Sequence, residues 1–220
     1  MNIASITDHC ILKPTTTITE VDQLCHEAKE YKFRAVCVPP LFVKRTKELL
    51  KNSSVKTSTV VGFPFGYSAI EAKLAETVLA IVDGADEIEM VINICALKNA
   101  DWQYLAKEIN TILPVIKSKS RVIKVILEAG LLNESEIKTC CDVYGAAGVD
   151  IIKTSTGYAA EKISVDTIKL LRRHLADAIK INAGGFINSY DLAIQLITAG
   201  ADGISSENSI EIVKAAAAEK

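Results

Sequence analysis

Eight short β-rich runs alternate with longer segments of helical periodicity along this 220-residue chain, and that rhythm restricts the fold more than any other feature. The runs centre on residues 6–10, 34–38, 57–62, 87–93, 122–128, 150–154, 178–182 and 203–206. Helical patterns fill 21–31, 40–51, 70–83, 102–118, 134–147, 165–175 and 189–199. Repeated βα units build a parallel sheet, because parallel neighbours need a crossover and a helix supplies it. Gly84-Ala85-Asp86, Gly148-Val149-Asp150 and Gly200-Ala201-Asp202 echo one another before three of the runs and mark a recurring helix-to-strand junction. Asn133 and Ser164 suit helix amino-terminal caps, while Gly84, Gly148 and Gly200 suit the residue after a carboxyl end. Eight such units in this length predict an α/β fold, the (β/α)8 TIM barrel, spanning residues 1–220 as a single domain. The rival, an open doubly wound sheet, lacks its G-x-G-x-x-G or P-loop fingerprint.

Composition narrows the partners. Net charge is -2 and neither sign clusters, which argues against nucleic acid and against an anionic membrane surface. No apolar run approaches membrane-spanning length, and the first residues lack the basic and long apolar stretches of a signal peptide. The six cysteines show no zinc-like or C-x-x-C spacing, so they read as reduced thiols and a cytoplasmic location is expected.

Three β-rich runs each carry one lysine: Lys124, Lys153 and Lys180. A lone strand lysine ordinarily snorkels to solvent. Three on neighbouring barrel strands would share one lumen, where like charges lower one another's pKa and free a neutral amine to attack a carbonyl. Lys153 stands out because it ends an apolar run directly before the polar turn Thr154-Ser155-Thr156-Gly157. Active sites of such barrels lie at the carboxyl ends of the strands, which is where Asp8, Cys37 and Glu89 also fall. Cys37 reads better as a small core residue than as a nucleophile, and Glu87 and Glu89 share one strand face with the lysines as their obvious partners.

The segments Asp8-His9-Cys10-Ile11-Leu12-Lys13-Pro14, Ala35-Val36-Cys37-Val38, Ala85-Asp86-Glu87-Ile88-Glu89, Lys124-Val125-Ile126-Leu127-Glu128, Lys153-Thr154-Ser155-Thr156-Gly157 and Gly184-Gly185, in this order, resemble the deoxyribose-phosphate aldolases. The resemblance implies a class I aldolase with Lys153 as the Schiff-base lysine, needing no cofactor and no metal. It further implies an aldehyde or sugar substrate met by Asp8, Cys37, Lys124, Thr154, Gly157, Gly184, Gly185 and Ser206. Look-alikes are commonly homodimers.

Four positions depart from the family pattern. Glu89 stands where the proton-relay aspartate is expected and is longer by one methylene. The second lysine of the family falls on Ile181, counting back from the double glycine, and Lys180 is one residue early. Outward strand positions favour apolar groups, so Lys180 is expected to turn inward and assist Lys153 and Glu89, with a bulge near residues 182–184. Ile187 occupies the arginine position of the phosphate site, and Glu207 places a carboxylate in the turn Ser205-Ser206-Glu207-Asn208. Phosphate affinity is therefore expected to be weak. An aldolase with a non-phosphorylated acceptor and a degenerate, non-catalytic barrel both stay open at this point.

Overall fold

The computed structural model describes residues 2–160 and 163–218. Its parallel strands run in chain order around a closed barrel: β1 (Thr7–Cys10), β2 (Ala35–Val38), β3 (Lys56–Val61), β4 (Glu87–Val91), β5 (Val122–Ile126), β6 (Ile151–Lys153), β7 (Lys180–Gly184) and β8 (Gly203–Ser206). β8 pairs back onto β1, with Asp8 opposite Ser205, so the ring closes as expected and leaves no sheet edge.

Helices wrap the ring: α1 (Ile18–Tyr31), α2 (Val43–Leu49), α3 (Ile70–Val82), α4 (Ile94–Lys98), α5 (Trp102–Ser118), α6 (Glu134–Ala147), α7 (Val165–His174), α8 (Tyr190–Thr198) and α9 (Ser209–Ala218). α5 shows why such segments dock. It buries Leu105, Ile109, Ile112, Leu113 and Ile116 at helical spacing, each contributing on the order of 2 kcal/mol of transfer free energy. Asp101 caps its first turn by accepting from the Tyr104 N–H. Asn133 and Glu136 form a capping box on α6, which ends at Gly148 in the left-handed conformation (φ 77°). α4 and α9 are additions to the expected pattern. α4 spans five residues and α9 buries only Ser209 and Ile212, so neither carries a wide apolar stripe.

The recurring junction aspartates have one shared job. Asp86, Asp150 and Asp202 each accept the backbone N–H of the strand before: Thr57 at 3.1 Å, Ile123 at 2.9 Å and Ile181 at 2.9 Å. Cations from outside hold each carboxylate: Lys47 and Arg121 on Asp86, Lys117 on Asp150, and Arg172 with Lys180 on Asp202. These clamps lie at the amino-terminal mouth and tie β3 to β4, β5 to β6 and β7 to β8.

The apolar core lies between strands and helices, where Val36, Ile88, Met90, Val125, Ile152 and Ile181 point outward. The lumen is different. Asp8, Ser58, Glu87, Glu89, Lys124, Lys153, Asn182 and Ser205 face one another inside it, with a small apolar cluster of Cys10, Cys37 and Val60 beside them.

β7 begins two residues later than the sequence pattern indicated, and this corrects the reading of Lys180. Lys180 starts the strand at the amino-terminal rim, its side chain 56% exposed and its amine 3.1 Å from Asp202. The ladder runs Ile151–Lys180, Ile152–Ile181, Lys153–Asn182 and then Gly184–Ser205 without a bulge. Lys180 thus stands at the mouth opposite the one where β6 delivers Lys153, and it takes no part beside that amine.

Candidate active site

Inside the barrel six charged groups form a column of alternating sign. At its base Arg34 makes two parallel hydrogen bonds to Glu87, at 2.7 and 2.9 Å, and one from Nε to Asp8 at 2.7 Å. Above it Lys124, fully enclosed, meets Asp8 at 2.7 Å, Glu87 at 2.8 Å and Glu89 at 2.9 Å. Glu89 then reaches Lys153 Nζ at 2.6 Å and accepts from Ser58 Oγ at 2.9 Å. Three cations face three carboxylates. That balance makes a buried charged lumen tolerable, since a lone buried charge costs several kcal/mol.

The column sets protonation states that the lysines alone would not. Burial works to raise the Glu89 carboxyl, yet Lys124 and Lys153 override it and hold the group well below the usual carboxylate range. Burial, the largest single effect, likewise works to lower the Lys153 amine, but Glu89 together with the Cys10 and Cys37 sulfurs outweighs burial and the Lys124 charge, so the amine lies above its ordinary value. Lys124 behaves the same way toward Asp8, Glu89 and Glu87. The expected lumen of mutually repelling lysines is therefore corrected. The Lys153 amine is thereby biased toward its ammonium form, hydrogen-bonded to the Glu89 carboxylate.

Lys153 ends β6 at the floor of a cleft of about 290 Å³ open at the carboxyl end of the barrel. Ser155, Gly157, Tyr158, Gly185, Phe186 and Ile187 form one side, from the loops after β6 and β7. Cys10, Leu12, Lys13, Ser206, Glu207 and Asn208 form the other, from the ends of β1 and β8 and the loops after them. Gly184 sits against the Lys153 side chain, since a Cβ there would lie 2.8 Å from Lys153 Cε. Gly185 adopts φ 89°, a conformation that only glycine takes freely, and packs beside Ser155.

The anticipated residues divide by depth. Lys153, Gly157, Gly185 and Ser206 line the cleft. Glu89, Lys124 and Asp8 lie beneath it in the column. Cys37 is enclosed, its thiol held well above the usual range by its contact with Cys10, by burial and by the Glu89 charge. Thr154 is a staple: its hydroxyl donates to Gly184 O at 3.0 Å and accepts from Gly184 N at 2.9 Å, joining β6 to β7. The Ser206 hydroxyl is spent on its own loop, donating to Ile187 O at 2.6 Å and accepting from Asn208 N at 2.9 Å.

Arg34, Ser58 and Asn182 complete the lumen without having been singled out in the sequence. Asn182 pairs in register with Lys153 and donates to Asp8 at 3.1 Å. It occupies the inward place on β7 at the level of Lys153, whereas Ile181 is buried among the helices. Alternation along the strand was the available signal, once β7 is started correctly.

Comparison with known proteins agrees with this geometry. A family model described as DeoC/LacD family aldolase matches residues 3–210. The deoxyribose-phosphate aldolase of Caldanaerobacter subterraneus subsp. tengcongensis is 42% identical over 215 residues, 97% of this chain and 93% of that protein. The deoxyribose-phosphate aldolase of Thermococcus gammatolerans is 40% identical over 218 residues, covering 98% and 97%. Among solved structures, the aldolase QR15 superposes with a TM-score of 0.93 at 33% identity, over 99% of this chain and 96% of that one. The tetrameric deoxyribose phosphate aldolase from Aeropyrum pernix gives 0.92 at 29% identity, over 99% and 92%.

Proposed function

The chain belongs to the DeoC/LacD family of aldolases, and from that premise we propose that it cleaves 2-deoxy-D-ribose 5-phosphate reversibly into acetaldehyde and glyceraldehyde 3-phosphate through an imine on Lys153. The observation that carries the assignment of Lys153 is its amine at the cleft floor, 2.6 Å from a carboxylate that can both take and return a proton.

The steps follow from the charges. Lys153 passes a proton to Glu89, and the neutral amine adds to the C1 carbonyl of the open-chain sugar; loss of water leaves a protonated imine. Glu89 then faces a cation again, so the field that kept the amine charged now keeps the imine charged. A base removes the C3 hydroxyl proton while the C2–C3 bond breaks, and its electron pair flows into the imine to give an enamine. Glyceraldehyde 3-phosphate leaves; protonation at C2 and addition of water release acetaldehyde and restore the amine. Glu89, bonded to Lys124 on its other oxygen, is the proton carrier within reach for these transfers. Asp8 and Glu87 hold Lys124 in place, which makes them positioning residues.

Supporting the one-domain reading, the strands form one closed ring. A homo-oligomer is part of the same proposal and is supported by the tetrameric Aeropyrum relative. Among the described residues no helix is long and apolar enough to cross a membrane, which accords with a cytoplasmic enzyme.

Incubation with acetaldehyde and borohydride, followed by intact mass and peptide mapping, tests the assignment. An ethyl adduct on Lys153, absent in Lys153→Ala, is the expected result. An adduct elsewhere, or none, rejects Lys153 as the imine-forming residue.

A further inference from the structure

We propose that Lys13, held beside Glu207 at the cleft mouth, is the residue through which this chain selects a phosphorylated substrate. The inference deepens the reading above and rests on it. Ile187, where the family resemblance would place an arginine for a phosphate, is buried and uncharged. Among the described residues lining the cleft the cations are Lys153, engaged with Glu89 at the floor, and Lys13 at the mouth.

Lys13 is mounted for such a role. Its carbonyl accepts from Thr16 N at 3.0 Å and from Thr16 Oγ1 at 2.7 Å, which fixes the turn that carries it. The preceding carbonyl, Leu12 O, accepts from Tyr158 Oη at 2.9 Å and ties this turn to the loop after β6, across the cleft. The side chain itself is free to move: it is 58% exposed, and its amine lies 3.7 Å from Glu207, itself half exposed. An exposed pair at that distance is a weak tether. A phosphate dianion carries twice the charge of a carboxylate and competes for the amine, while Glu207 has solvent to retreat into. Glu207 is therefore not an unopposed charge facing the ligand. It parks the cation at the mouth until a stronger anion arrives.

The test measures kcat/KM for 2-deoxyribose 5-phosphate and for 2-deoxyribose, and compares their ratio across variants. Lys13→Met is expected to lower the ratio at least about tenfold, mainly through KM for the phosphorylated sugar, because Glu207 then faces the dianion without compensation. Lys13→Arg should retain the ratio and Glu207→Gln should not lower it. Inorganic phosphate, used as a competitive inhibitor, should bind Lys13→Met correspondingly less well. A ratio within twofold of the parent in Lys13→Met overturns the inference, as does an equal loss on both sugars, which would mark a structural role. A parent enzyme with no preference for the phosphorylated sugar overturns the substrate reading itself, and trapping at Lys153 then shows whether the imine chemistry survives it.

Discussion

Replacing Glu89 by Gln should move two measurements in opposite directions. The carboxylate lies 2.6 Å from Lys153 Nζ and 2.9 Å from Lys124 Nζ, with Ser58 Oγ at 2.9 Å. At an effective dielectric of about 20, a pair at such range attracts by roughly 6 kcal/mol before desolvation is counted. The net effect of an opposite charge this near is about 1–3 pKa units. Without it, burial and the Lys124 charge act on Lys153 together and both push its amine downward. The lumen then holds three cations against Asp8 and Glu87, and Lys153 is the one that sheds its proton, since Lys124 is still clamped by two carboxylates. Borohydride trapping across pH should therefore show imine formation shifted about 1–3 units toward acid. Turnover should fall at least about 10²-fold, because the proton carrier is gone. Gln is close to isosteric, so stability should drop by only about 1–3 kcal/mol in urea titration. An unshifted trapping profile would refute the claim that Glu89 sets the amine's charge. Parallel losses of trapping, turnover and stability would assign Glu89 a merely structural part.

Two further outcomes bear on the same column. Gly184→Ala places a Cβ 2.8 Å from Lys153 Cε and 3.0 Å from Ser155 O, so it should lower kcat about 10²-fold with secondary structure retained by circular dichroism; near-parental turnover would mean that Lys153 does not work from this position. In acid, Lys124 and Arg34 hold the Glu87 carboxyl down to about 2 against the raising effect of burial, and Glu89 is held lower still. Depressed carboxyls stabilise the fold above the ordinary value of 4.5 and lose that contribution as pH falls through the folded-state values, so urea midpoints should drop from pH 4.5 to about 2, with Glu87 alone worth on the order of 3 kcal/mol. A midpoint flat to pH 3 would contradict the ion-pair column.

The barrel was legible because its signals are local: alternating periods, caps at Asn133 and Ser164, and the glycine-aspartate junctions. α5 and α6 fall on the residues their patterns indicate, since both carry broad apolar stripes and capped starts. Lys153 was legible too, as a polar residue ending an apolar run. What escaped the sequence depends on contacts between distant segments. Asp8 and Lys124 are 116 residues apart, and Arg34 and Glu87 are 53 apart. No periodicity announces that they stack along one axis. Lys180 was misplaced for a smaller reason: strand ends are set by helix geometry upstream, and starting β7 two residues late exchanges lumen for rim. Counting from the double glycine named Ile181, whereas the register with β6 puts Asn182 opposite Lys153.

The aspartate clamps carry a consequence for how such a barrel can be inherited. Each one fastens a strand to its immediate successor within a pair, through Asp86, Asp150 and Asp202, and sits at the mouth away from Lys153. A two-strand unit copied or exchanged as a block brings its own alignment along, while the loops at the other mouth stay free to diverge. Descent by pairs rather than by single strands would leave this trace: a clamping carboxylate at the junctions before β4, β6 and β8 on one rim, and on the opposite rim whatever side chains the substrate requires.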